Sequence, residues 1–98
     1  MSRQITFTPS AAADIAAAFF WYERQKNGLG SEFEATLLAV LDRVAEHPEG
    51  APVIDQNLRR VLVPTFPYAV YYRFTDSAID VRGCLHHRRN PRAWRRRG

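Results

Sequence analysis

Apolar residues in this chain change period once, from helical spacing over 9–46 to alternation over 57–85, and that switch constrains the fold more than any other feature. Thr8 is placed to cap a helix that starts at Pro9, a position where a missing N–H costs nothing. The spacing predicts that this helix runs to about Lys26 and buries Ala12, Ile15, Phe19 and Tyr22. Asn27-Gly28-Leu29-Gly30 breaks it. Ser31 and Glu34 have the spacing of a capping box, which predicts that a second helix starts there. Phe33, Leu37, Val40, Leu41 and Val44 then recur at helical spacing. The pattern stops before His47-Pro48, because a proline pushes the residue ahead of it out of helical geometry. Two helices joined by a short Gly-containing break form a hairpin.

Residues 48–56 contain Gly50 and Pro52 and read as a loop. Strands are expected over 57–63, 68–74 and 78–85, with an earlier one over 3–8 that carries Ile5 and Phe7 on one side. Pro64-Thr65-Phe66-Pro67 and Thr75-Asp76-Ser77 are turn-like, so these neighbours should pair antiparallel. The expected fold is α+β, in the order strand, helix, helix, strand, strand, strand, with an antiparallel sheet packed on the helical hairpin. With Ile79, Val81 and Leu85 turned into the core, Asp80, Arg82, Cys84 and His86 would face the open side. Tyr71 and Arg73, in the more polar set of their strand, are expected there too.

The 98 residues suffice for one core, so 1–98 is read as a single domain. Apolar residues make up 46% and charged ones 24%, the balance of a folded globular chain. The longest apolar run, 15–22, is far shorter than the ~18 residues needed to span a bilayer, and no membrane association is expected. No leader peptide is visible at the N-terminus. The one cysteine, Cys84, has no partner in the chain, so a reducing compartment, the cytoplasm, is the expectation.

Charge is unevenly spread. Residues 82–98 hold seven arginines and no acid, whereas 1–81 hold seven bases and ten acids. Such a block calls for an acidic partner without choosing among nucleic acid, protein or membrane. Arg95, Arg96 and Arg97, within 95–98, read as a mobile basic end that adds nonspecific attraction. His86 and His87 are adjacent and point to opposite faces of a strand, so neither metal nor cofactor is expected. Gly28-Leu29-Gly30 sits between helices and is no phosphate loop. The stretch 85–94 is different in kind, because it joins two imidazoles, forked guanidiniums and the Trp94 indole at the end of a strand. Those groups suit phosphate contacts and stacking, and they equally suit an acidic peptide. For Tyr68 and Tyr72 the simpler reading is packing in the sheet.

Trp21-Tyr22-Glu23, Gly28-Leu29-Gly30-Ser31-Glu32-Phe33, Arg59-Arg60, Phe66-Pro67-Tyr68-Ala69-Val70-Tyr71-Tyr72-Arg73 and His86-His87-Arg88-Arg89-Asn90-Pro91-Arg92-Ala93-Trp94 follow one another in a set order. In that order and spacing the chain resembles the RelE/ParE superfamily of bacterial type II toxins. The resemblance implies a toxin held inactive by a cognate antitoxin. ParE-like members inhibit DNA gyrase, and RelE-like members cleave messenger RNA on the ribosome. Ala69 stands where the ribonucleases carry an arginine, and 61–66 offers no lysine pair. The favoured expectation is therefore a noncatalytic, ParE-like toxin that binds through Arg60, Tyr71, Arg73, Arg82, His86, Arg88, Arg89 and Trp94. A ribosome-dependent endoribonuclease using His86 or His87 with Arg88 is the alternative. A nontoxic nucleic-acid-binding domain is the third.

Overall fold

In the computed structural model, residues 3–89 and 91–98 are described. Strand β1 (Gln4–Phe7) leads into helix α1 (Pro9–Gln25) through Thr8, which is extended and whose hydroxyl accepts the Ala11 N–H at 3.1 Å, as its side-chain chemistry predicts. Helix α2 (Leu29–Glu46) stops one residue before His47 and Pro48, and Pro48 opens a short 3-10 turn, Pro48–Gly50. Four more strands follow: β2 (Val53–Asp55), β3 (Leu58–Leu62), β4 (Tyr68–Phe74) and β5 (Ala78–His86). A second 3-10 turn, Ala93–Arg96, lies near the C-terminus. The sheet order is β1-β5-β4-β3-β2, with β1 parallel to β5 and the other pairs antiparallel.

The α+β class and the helical hairpin match the sequence reading, while several details differ. The capping box does not form. Helix α2 starts two residues earlier, at Leu29, and its cap comes from α1: the Glu23 carboxylate accepts the N–H groups of Gly28 and Gly30, each at 3.0 Å. Gly28 has φ +90°, open to glycine without strain. A Cβ at Gly30 would lie 2.6 Å from the Phe19 carbonyl oxygen, so that glycine lets the two helices close on each other. The segment 48–56, expected as loop, contributes the edge strand β2. A three-residue strand carries too little periodicity to be seen in sequence.

The buried stripe of α1 is rotated from the predicted one. Ala11, Ala18 and Tyr22 are buried, Ile15 and Phe19 are half-buried, and Ala12 is exposed. The α2 residues fall as expected, with Phe33, Leu37, Val40, Leu41 and Val44 all in the core. Against them the sheet places Tyr68, Val70, Tyr72, Ile79, Val81 and Cys84. Phe33 anchors the aromatic centre, 5.4 Å from the Tyr22 ring and 5.3 Å from those of Phe66 and Tyr68.

A bulge decides which side chains reach the other face. Tyr71 pairs with Gly83 while Tyr72 pairs with Val81, so Arg82 is an extra residue in β5. Alternation restarts beyond it with the opposite sense. Cys84 therefore enters the helical core rather than the open side, His86 packs on the Tyr68 ring at 5.3 Å, and Leu85 joins the open face.

Candidate functional site

Because β1 is short, its pairing with β5 ends at Val81, and the edge of β5 beyond that point is free for other partners. Asp14 of α1 takes part of it by accepting the Cys84 N–H at 3.1 Å. The same carboxylate pairs with Arg97, whose Nη2 donates to Oδ1 at 3.1 Å and whose Nη1 donates to Oδ2. Arg82 Nε in turn donates to the Arg97 carbonyl at 3.1 Å, and its Nη1 meets Asp80 at 2.8 Å. Arg97 was grouped with the basic end by sequence; here it clips that end to α1, while Arg95 and Arg96 are exposed. Gly83 lies under this crossing, where a Cβ would sit 3.3 Å from the Arg97 guanidinium, a contact the side chain would have to shift to accommodate.

This clip lays the C-terminal segment across the open face of the sheet. Trp94 stacks on Tyr71, with ring centroids 6.5 Å apart and planes 18° from parallel. Leu58, Ala69 and Tyr71 form a second small core there, flanked by Ile54, Leu85 and Trp94. Tyr71 is outward as expected, yet it is fully buried. Among the described residues its hydroxyl has no hydrogen-bond partner, and neither does Arg73 Nε. Burial pushes the Tyr71 phenol up, and the neighbouring Arg60 guanidinium pulls against that rise.

The expected binding residues therefore divide. Arg60, Tyr71, Arg73, Arg82 and Trp94 belong to the open face under or beside the C-terminal segment, with Arg82 already engaged to Asp80 and Arg97. His86, Arg88 and Arg89 lie on the rim beside α1. There Arg89 sits over the Trp21 ring at 5.2 Å. Trp21 is half-buried and forms one wall of this rim. His87 is half-buried, and its N–H donates to the Pro67 carbonyl at 3.0 Å. Asn90, part of the motif, lies outside the described residues.

Of the seven arginines in 82–98, Arg82 and Arg97 form ion pairs; among the described residues Arg88, Arg89, Arg92, Arg95 and Arg96 have no acid within ion-pair distance. All five are exposed. Arg89, Arg92 and Arg96 line a common depression with Pro91 and Ala93. The arrangement concentrates positive charge beside two indoles, which suits an anionic surface. Among the described residues there is no cluster of three His, Cys, Asp or Glu able to hold a metal. Among the described residues no helix is long and apolar enough to cross a membrane.

Sequence reasoning missed a second surface. Phe20 and Leu38 are 59% and 52% exposed, and they flank a groove of about 490 Å³ between the outer sides of α1 and α2, closed at one end by Phe7. Adjacent apolar pairs were the available signal. Neighbouring residues on a helix diverge by about 100°, so Phe19-Phe20 and Leu37-Leu38 cannot all face one core.

Comparison with known proteins now has a geometry to attach to. Residues 5–91 match the sequence model of the family described as "ParE toxin of type II toxin-antitoxin system, parDE". Toxin ParE2 of Mycobacterium tuberculosis, from strains CDC 1551 / Oshkosh and H37Rv, is 27% identical over 94 residues, covering 95% of this chain and 90% of the relative. The fold resembles a chain in a solved structure titled "Chromosomal ParDE TA system from P. aeruginosa", with a TM-score of 0.75 and 15% identity. That superposition covers 87% of this chain and 96% of the other.

Proposed function

We propose that this chain, which belongs to the ParE toxin family of type II toxin–antitoxin systems, arrests growth by binding and inhibiting DNA gyrase in the cytoplasm and is silenced by a cognate antitoxin. The observation that carries this reading is the rim of exposed arginines with no acid within ion-pair distance among the described residues, set against Trp21 and Trp94. A surface of that kind gains from meeting an acidic macromolecule. The apolar groove between α1 and α2 supplies what the arginines do not, a seat for apolar side chains. An antitoxin segment carrying apolar residues along one stretch and acids along another would satisfy both.

Expression of the chain alone in a bacterial host is expected to stop growth, and co-expression of the antitoxin to restore it. Purified protein should block gyrase supercoiling of plasmid DNA and leave messenger RNA intact. Reversal of both rim charges, Arg88→Glu with Arg89→Glu, should abolish arrest while the circular dichroism spectrum stays native. Undiminished arrest by that variant, or ribosome-dependent cleavage of messenger RNA by the wild type, would overturn the reading.

A further inference from the structure

The rim arginines stand on a turn, and the turn is held by one imidazole. His86 Nδ1 accepts the main-chain N–H of Arg88 at 3.2 Å and that of Arg89 at 3.1 Å. Both bonds need a lone pair on Nδ1, so the ring proton must sit on Nε2. The ring itself is fixed from behind by the Tyr68 ring at 5.3 Å, within a pocket that Trp21 and Asp14 of α1 also line. The next residue adds a second tie, because the His87 N–H donates to Pro67. The outcome is a strand end that turns sharply and sends Arg89 over Trp21.

We propose that His86 is a positioning residue, whose Nδ1 sets the turn that aims the Arg88 and Arg89 guanidiniums at the anionic partner. This rests on the reading above that those arginines meet the target. It assigns His86 a role opposite to a general acid or base. Accepting two N–H groups uses the lone pair that a base would need, and a proton at Nδ1 would break both bonds. Electrostatics points the same way: burial, then Arg89 and His87, push the imidazole below its ordinary value and keep it neutral near neutral pH.

Asparagine offers the decisive substitution. Its Oδ1 hangs from Cγ as Nδ1 does in histidine, and an Asn side chain readily accepts the N–H two residues on. Glutamine places its oxygen one carbon farther out, where Nε2 would be. Growth arrest and gyrase inhibition by His86→Asn should stay close to wild type, whereas His86→Gln and His86→Leu should need about tenfold more protein, as expected for losing two modest hydrogen bonds.

Nitrogen-15 spectra of the imidazole should show the Nε2–H tautomer. Amide exchange at Arg88 and Arg89 should be slowed in the wild type and in His86→Asn but not in His86→Gln. Equal activity of the Asn and Gln variants, or an Nδ1–H ring, would overturn the proposal. If the wild type leaves both growth and gyrase untouched, the functional reading fails by itself. The tautomer and the amide exchange then decide whether His86 sets the turn.

Discussion

The two faces of the sheet carry neighbouring tyrosines in opposite circumstances. Tyr71 and Tyr72 are adjacent in β4 and both are fully buried. Tyr72 faces the helices, and its hydroxyl donates to the Pro48 carbonyl at 2.6 Å. Tyr71 faces the other way, beneath Trp94, and its hydroxyl has no hydrogen-bond partner among the described residues. The helical face is a continuous core in which α1, α2, β4 and β5 interlock, with Ile5 of β1 and Val61 of β3 packed against it. The open face is a small cluster closed by a segment that one carboxylate, Asp14, clips in place. One face stores the stability of the fold; the other holds candidate binding side chains under a cover with few attachments.

The largest test of that contrast is a matched pair of truncations. Phe33→Ala, which empties the aromatic centre, should cost about 3–5 kcal/mol in urea denaturation. Trp94→Ala should cost only about 1–2 kcal/mol, since its ring covers a cluster of only three buried residues and is itself half-exposed. Equal losses would erase the distinction between the faces.

Asp14→Asn comes next, at about 2 kcal/mol, because the carboxylate serves both Arg97 and the Cys84 N–H. It should also speed proteolysis near the C-terminus, which cleavage mapping by mass spectrometry would read. The tyrosines give a finer comparison. Tyr72→Phe should cost about 1 kcal/mol, while Tyr71→Phe should be neutral or slightly stabilising, since no bond is lost and an unpaired hydroxyl is removed. The smallest expected effect is none at all. Burial beside Asp14 pushes the Cys84 thiol up to about 12, so iodoacetamide at pH 8 should leave it unmodified in the native protein and label it in urea.

Much of the helical face was legible in sequence because burial there follows period. The α2 stripe from Phe33 to Val44 is regular, and Thr8, Pro9 and Pro48 are local signals whose effect needs no distant partner. What the sequence concealed depends on partners far along the chain. The Glu23 cap on Gly28 and Gly30 replaced a plausible local box at Ser31 and Glu34. The Arg82 bulge turned Cys84 and His86 inward, and Gly83, a glycine inside a strand pattern, hints at a bulge without saying which residue is extra. The Asp14–Arg97 clip joins the two ends of the sequence, so a run of arginines that reads as a tail proves to contain its own fastener. The candidate site was found as a motif but not as a geometry, because one inserted residue decides which of its members share a face.

The order of the strands also sets a clock. Strand β1 precedes both helices, yet the strand it pairs with, β5, is the last of the sheet in chain order, and β5 lies inside the sheet rather than at its edge. A nascent chain therefore carries a helical hairpin without its completed sheet until β5 has been made, and contacts of such long sequence separation close late. A ribosome that stalls before Val81 releases a fragment lacking both the interior strand and the arginine rim. Synthesis interrupted before β5 should thus yield material for proteases rather than a folded domain that lacks only part of its rim.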